Sequence, residues 1–165
     1  MDYRVSTVAE WGFRFSVILS VLWVSCALSD GISDKAVTPP EFEIIDVTLM
    51  PGGVRPSIQL SVKLAKTEAQ RRYGLMFTSH LPDQHGMLFI FKTDAVRKFW
   101  MKNTQIPLDI LFFDASGCLV SLISSAKPFS LTLQESTGPA RYVLEINGGH
   151  SALMGVQADA KLLLP

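Results

Sequence analysis

A chain of 165 residues has room for one domain with a core of its own, needing neither disulfides nor a metal to staple it. Fifteen basic side chains meet fifteen acidic ones and the formal charge is zero, so the charge gives no support to nucleic acid or an anionic membrane surface as a partner. The two cysteines, Cys26 and Cys118, are too few for a disulfide framework.

The N-terminus reads as a targeting segment. After Arg14 an uncharged, mostly apolar run extends from Phe15 to Leu28. A helix needs roughly 20 residues to cross the hydrocarbon core, so this run is short for a span and suits the apolar core of a signal peptide. Ser25 and Ala27 supply small residues for cleavage after Ala27. The first expectation is therefore a signal peptide over 1–27, a linker over 28–40 and a single domain over 41–165, exported to the periplasm or secreted. Removing 1–27 takes two charges of each sign and leaves the balance unchanged. A second reading lipidates Cys26, because Val24-Ser25-Cys26 resembles a bacterial lipobox, although Trp23 stands where that pattern wants Leu. A third keeps residues 15–28 as an uncleaved membrane anchor. Cys118 is left alone and reads as a small apolar strand residue.

Past Thr38-Pro39-Pro40, the stretch Glu41 to Leu49 alternates through Ile45, Val47 and Leu49 and predicts a strand. Met50 to Pro56, with two prolines and two glycines, predicts a loop. Ser57 to Leu64 has the cleanest alternation, with Ile58, Leu60, Val62 and Leu64 on one face, and predicts a second strand. Thr67 and Gln70 form a capping box for a short helix from Glu68 to about Leu75. Thr78 to His85 is loop. Met87 to Phe91 is apolar throughout and predicts a strand buried on both faces. Lys92 to Ala95 predicts a turn and Arg97 to Lys102 another strand. Asn103-Thr104-Gln105 turns the chain, and Pro107 keeps Ile106 out of a helix. Leu108 to Phe113 and Cys118 to Ser125 predict a hairpin around Asp114-Ala115-Ser116-Gly117. Lys127 to Gly138 predicts a long polar loop and Arg141 to Ile146 a strand. Gly148-Gly149 breaks that strand, His150 to Met154 makes one helical turn, and Lys161 to Leu164 closes the sheet. About eight short strands and one helix predict a mainly β fold, an antiparallel sandwich or barrel.

Four motifs in this order carry a resemblance: Gly74-Leu75-Met76; Gly86-Met87-Leu88-Phe89-Ile90-Phe91; Phe99 through Asp114; and Tyr142-Val143-Leu144-Glu145 followed by Gly149. Together they resemble the family called domain of unknown function 192, over about Ser57 to Leu164. The resemblance implies a compact, jelly-roll-like β domain, often exported in bacteria, and carries no settled activity. The chain departs from the family pattern twice. Phe77-Thr78 stands where a basic residue usually follows Gly-Leu-Met, and Ala158-Asp159 stands where Gly-Asp is favoured.

The densest set of polar side chains between apolar segments is the corner holding Lys102, Asn103, Thr104 and Asp109. Asp109, between Leu108 and Ile110, reads either as a carboxylate capping backbone N–H groups of the Asn103-Thr104-Gln105 turn or as a ligand acceptor or base beside Lys102. Glu145 sits in the apolar run Val143 to Ile146, and an inward glutamate needs a partner, for which Arg71 or Arg72 is the natural candidate. Arg72, Lys102, Asn103, Thr104, Asp109 and Glu145 are thus the candidate binding residues, and no catalytic residue is assigned. His80 and His85 fit no zinc spacing, and the methionines in apolar runs read as core filler, so neither metal nor cofactor is expected. The expected function is binding rather than catalysis: a monomeric module for a small ligand, a glycan or an envelope partner. The alternatives are a hydrolase using Asp109 or Glu145, whose carboxyls would then flank a scissile bond, and a purely structural envelope protein.

Overall fold

The alternation seen in the sequence is realised as the first antiparallel pair. The computed structural model describes residues 38–165, so the expected signal peptide, the Cys26 and 15–28 alternatives and most of the expected linker lie outside the described residues. In β1 (Ile44–Met50) Val47 and Leu49 are buried, and in β2 (Ile58–Ala65) Leu60, Val62 and Leu64 join them, with Val47 opposite Leu60. Gln59 and Lys63, on the other face of β2, remain exposed.

The capping box forms as expected. Thr67 Oγ1 accepts from the Gln70 N–H at 3.2 Å and Gln70 Oε1 accepts from the Thr67 N–H at 2.9 Å. It starts α1 (Glu68–Tyr73). Gly74, at φ +52°, takes the helix end into the left-handed region where a side chain would be strained. This helix carries the chain across so that β3 (His85–Phe99) lies parallel to β2. The remaining elements are β4 (Leu108–Phe113), β5 (Leu119–Ala126), β6 (Gln134–Asn147), α2 (His150–Leu153) and β7 (Lys161–Leu163), and the strand order is β5-β4-β6-β3-β2-β1-β7.

The sheet curls until its edges approach. Cys118 bridges to Lys161, the Leu119 N–H donates to the Ala160 carbonyl at 2.9 Å, and the Leu162 N–H donates to the Gly117 carbonyl at 2.8 Å. Gly117, at φ +77°, makes the hairpin turn, and a Cβ there would stand 2.3 Å from the Leu162 carbonyl oxygen. The fold is thus mainly β and barrel-like, as expected, with one parallel pair in an otherwise antiparallel sheet.

Two expectations change. Lys92 to Ala95 is not a turn: the two predicted strands are one 15-residue strand, β3, whose register against β6 shifts between Ile90 and Ala95 and again between Val96 and Lys98. The predicted loop Lys127 to Gly138 ends early, because β6 begins at Gln134. Both errors have one cause. Most side chains over 92–98 and 135–139 are exposed, so their polarity reflects exposure rather than a break in pairing; Pro139 is tolerated next to the register shift. The helical turn expected at His150 to Met154 forms as a second short helix, α2.

Two cores sit on the two faces of the sheet. Val47, Leu49, Leu60, Val62, Leu88, Leu111, Phe113, Leu144 and Ile146 fill one. Met87, Phe89, Ile110, Phe112 and Val143 belong to the other, joined by Leu75, Leu81, Met101 and Leu108. Strands β3, β4 and β6 feed both cores by alternation, which is why their central runs are apolar at every position. No helix among the described residues is long and apolar enough to cross a membrane.

Candidate functional site

After β3 the chain runs through Trp100–Pro107 before entering β4. This turn is held by backbone bonds from three directions. The Met101 N–H donates to the Ser130 carbonyl at 2.9 Å, the Phe129 N–H to the Thr104 carbonyl at 3.1 Å, and the Phe77 N–H to the Asn103 carbonyl at 2.8 Å. Asn103, Phe77 and Phe129 all have positive φ, at +57°, +62° and +59°. Asparagine tolerates this region, but for a phenylalanine it costs about 1–2 kcal/mol. Such strain persists only where the surroundings over-determine it, and it concentrates at sites.

The C-terminal end of α1 and this turn enclose a cavity of about 40 Å³ lined by Arg71, Arg72, Tyr73, Gly74, Leu75, Met76, Phe89, Phe99, Trp100, Lys102, Thr104 and Glu145. A space of this size admits water or one small chemical group. A wider groove of about 690 Å³ shares Arg72, Tyr73, Met76, Trp100 and Lys102 with it and adds Asn103, Ala69, Thr38 and Pro40. Trp100 is 45% exposed, and the Lys102 Nζ stands 5.4 Å from the centre of its ring. Asn103 Nδ2 faces the Met76 sulfur at 3.9 Å. Thr104 is buried, its hydroxyl 3.4 Å from the Lys102 carbonyl.

Glu145 lies in β6 opposite Met87 of β3 and Ile110 of β4, on the face of the second core. It is 5% exposed, and among the described residues its carboxyl has no salt bridge and no hydrogen-bond partner. Burial pushes this carboxyl up from its ordinary 4.5 to about 8. Burial therefore favours the protonated form at neutral pH, and that form carries an O–H donor.

The expected partners of Glu145 are engaged elsewhere. Arg71 donates to the Lys66 carbonyl at 2.5 Å and the Ile90 carbonyl at 3.1 Å, and its guanidinium lies 5.1 Å from the Phe91 ring centre. Arg72 meets Glu68 at 3.1 Å, with both side chains mostly in solvent. Its guanidinium remains at the rim of the cavity.

Asp109 is placed differently. It is fully buried and pairs across the sheet with Ile146, on the face opposite Glu145. Oδ1 accepts from the Ser125 N–H at 2.7 Å and the Gly149 N–H at 2.9 Å, and Oδ2 accepts from the Ser151 N–H at 2.8 Å. It caps α2 and the end of β5, not the Asn103-Thr104-Gln105 turn. Two carboxyls on opposite faces of one sheet cannot flank one scissile bond.

Of the six candidates read from the sequence, then, five converge on the cavity and groove: Arg72, Lys102, Asn103, Thr104 and Glu145. Asp109 does not line either. Sequence reading left out Tyr73, Met76 and Trp100. Only Trp100 gave a signal, an indole N–H needing a partner beside a polar corner. Among the described residues, no three His, Cys, Asp or Glu side chains gather where they could hold a metal.

Comparison with known proteins gives a family but no activity. The model of domain of unknown function 192 (DUF192), described as an uncharacterized ACR, matches residues 51–164. A solved structure from Sinorhizobium meliloti 1021, described provisionally as a transcription regulator, is 34% identical; the match covers 74% of this chain and 95% of that one, with a TM-score of 0.72. A protein of unknown function from Novosphingobium aromaticivorans DSM 12444 is 32% identical, covering 78% of this chain and 96% of that one, with a TM-score of 0.70. No curated protein matches the chain.

Proposed function

The chain belongs to the DUF192 family, and on that premise we propose that it is a binding module whose ligand sits between α1 and the Trp100–Thr104 turn. One observation carries this reading. Five polar or charged residues from three separate elements converge on a cavity and an adjoining groove with apolar walls, the usual make-up of a small-molecule site. The groove is large enough for a small molecule or the terminal unit of a glycan, and Trp100 offers an exposed face beside it. The segment before the domain supports an exported protein, so the ligand or partner belongs to the cell envelope or the medium. Cell fractionation with N-terminal sequencing of the recovered protein tests that address; a cytoplasmic, uncut chain contradicts it.

The regulator description belongs to the S. meliloti protein, and the zero net charge of this chain offers no basis for binding nucleic acid. The hydrolase alternative retains only Glu145, because Asp109 is committed to backbone. Turnover that stops in Glu145→Gln would favour it. The binding reading is tested by titrating the full chain with small-molecule and glycan collections while following amide signals. Ligands are expected to perturb Gly74, Trp100 and Asn103 together and to lose affinity in Trp100→Ala. Perturbations confined to other surfaces would contradict it.

A further inference from the structure

The floor and the rim of this cavity carry different groups, and the difference specifies what fits. At the floor stands Glu145, nine-tenths or more buried and, among the described residues, without a hydrogen-bond or salt-bridge partner. The walls are Leu75, Phe89 and Phe99. At the rim stand Arg72 and Lys102, both exposed, and the buried Thr104 also lines the cavity.

The charged and titratable groups around Glu145 are few. From α1 come Arg71, Arg72 and Tyr73, and from the turn Lys102. Across from it, β3 and β4 present Met87 and Ile110. His85, two residues along β3 on the same face, is exposed and bonded to the Asp83 carbonyl. Among the described residues no cation offsets the burial of Glu145, and burial sets its state. A site with a carboxylic O–H, an ammonium and a guanidinium is a set of hydrogen-bond donors, while the Thr104 hydroxyl donates to the Lys102 carbonyl. An ammonium or other cationic ligand would meet two cations at the rim before reaching the floor. An anion would be drawn in by both.

We propose that the cavity binds the oxyanion group of a small molecule, a carboxylate or a phosphate, with Arg72 and Lys102 at its rim and Glu145 donating its acid proton from the floor. This rests on the reading of the corner as a ligand pocket and names the chemical class that the pocket takes. The body of the ligand lies in the adjoining groove along Tyr73, Met76 and Trp100. Protonation and binding are then linked. The anion binds the acid form of Glu145 and raises its proton affinity further, so binding takes up a proton at alkaline pH and weakens once Glu145 ionises.

The experiment titrates the full chain with sodium acetate and, separately, with inorganic phosphate, at constant ionic strength held with chloride, following the amides of Gly74, Lys102 and Thr104 by NMR. Acetate is ionised throughout the range and isolates the behaviour of Glu145. Its affinity is expected to fall about thirtyfold from pH 6.5 to 9.5, in step with the fraction of Glu145 still protonated. Glu145→Gln keeps a neutral donor at the floor, and its acetate affinity is expected to be retained and flat across that range. Lys102→Ala is expected to weaken acetate at every pH without altering the profile. If phosphate alone saturates, the ligand class narrows to phosphates; if acetate alone does, to carboxylates.

Three results overturn the proposal. The first is acetate binding in wild type that is as flat with pH as in Glu145→Gln. The second is methylammonium binding at pH 9.5, which would make the site a cation site with an ionised Glu145. The third is failure of both anions at pH 6.5 while a neutral glycan from the wider screen perturbs the same amides, which removes the oxyanion and leaves the pocket standing. If nothing in either experiment perturbs the corner, the pocket reading itself falls.

Discussion

Asp109 and Glu145 form a natural pair for comparison. Each is a buried carboxyl in an apolar strand, and they lie on neighbouring strands one register step apart. Asp109 accepts three backbone N–H bonds from two elements it holds together. Glu145 accepts none from the described residues and lines a cavity. A buried polar group is tolerated when its bonds are made and costs stability when they are not. The first carboxyl thus looks after the fold, while the second weakens it for a reason the fold does not supply. Sites characteristically hold this kind of cost.

Four substitutions test that contrast, from the largest expected effect down. Asp109→Asn keeps the shape but turns an N–H donor toward backbone donors, and is expected to destabilise the full chain by about 3–4 kcal/mol in chemical denaturation. A loss below 1 kcal/mol would erase the distinction between the two carboxyls.

Glu145→Gln has the opposite sign. The folded value of Glu145, about 8, lies above its ordinary 4.5. Below 4.5 both folded and unfolded chains hold the proton and stability is at its full value. Between 4.5 and 8 only the unfolded chain ionises, so stability falls with rising pH by about 1.4 kcal/mol per unit; above 8 the loss is complete. Glu145→Gln is therefore expected to match wild type near pH 4 and to exceed it by about 3 kcal/mol at pH 7. A constant difference across that range would contradict the account.

Thr67→Ala removes the cap of α1 and is expected to cost about 1 kcal/mol. Because α1 roofs the cavity, fraying also admits water, and the titration midpoint of Glu145 is expected to move down toward its ordinary value. Arg72→Ala is the smallest in stability, within about 0.5 kcal/mol, since its pair with Glu68 is exposed. It is nonetheless expected to weaken acetate several-fold, measured by the same NMR titration.

The sequence showed most of the scaffold because alternation and turn chemistry are local. The capping box at Thr67 and Gln70, the strand Leu108 to Phe113 and the Gly117 turn each depend on residues a few positions apart, and each formed. The ends of β3 and β6 were misread because exposed strand and loop share the same polarity, and only the partner strand tells them apart. The same limit acted at the site. The corner, Arg72 and Glu145 could be picked out as polar residues among apolar ones. Which face each strand residue takes follows from cross-strand register, and that alone separates Asp109 from Glu145. The left-handed Phe77 had no signature, since nothing in a phenylalanine announces positive φ.

The most direct test of the contrast is the side-chain carboxyl ¹³C titration of Glu145 in the folded full chain, assigned with Glu145→Gln. The expected midpoint lies near 8 and moves higher with acetate. A midpoint near the ordinary 4.5, unmoved by acetate, would mean that Glu145 is solvated or partnered and that the cavity is not the acid-floored site described here.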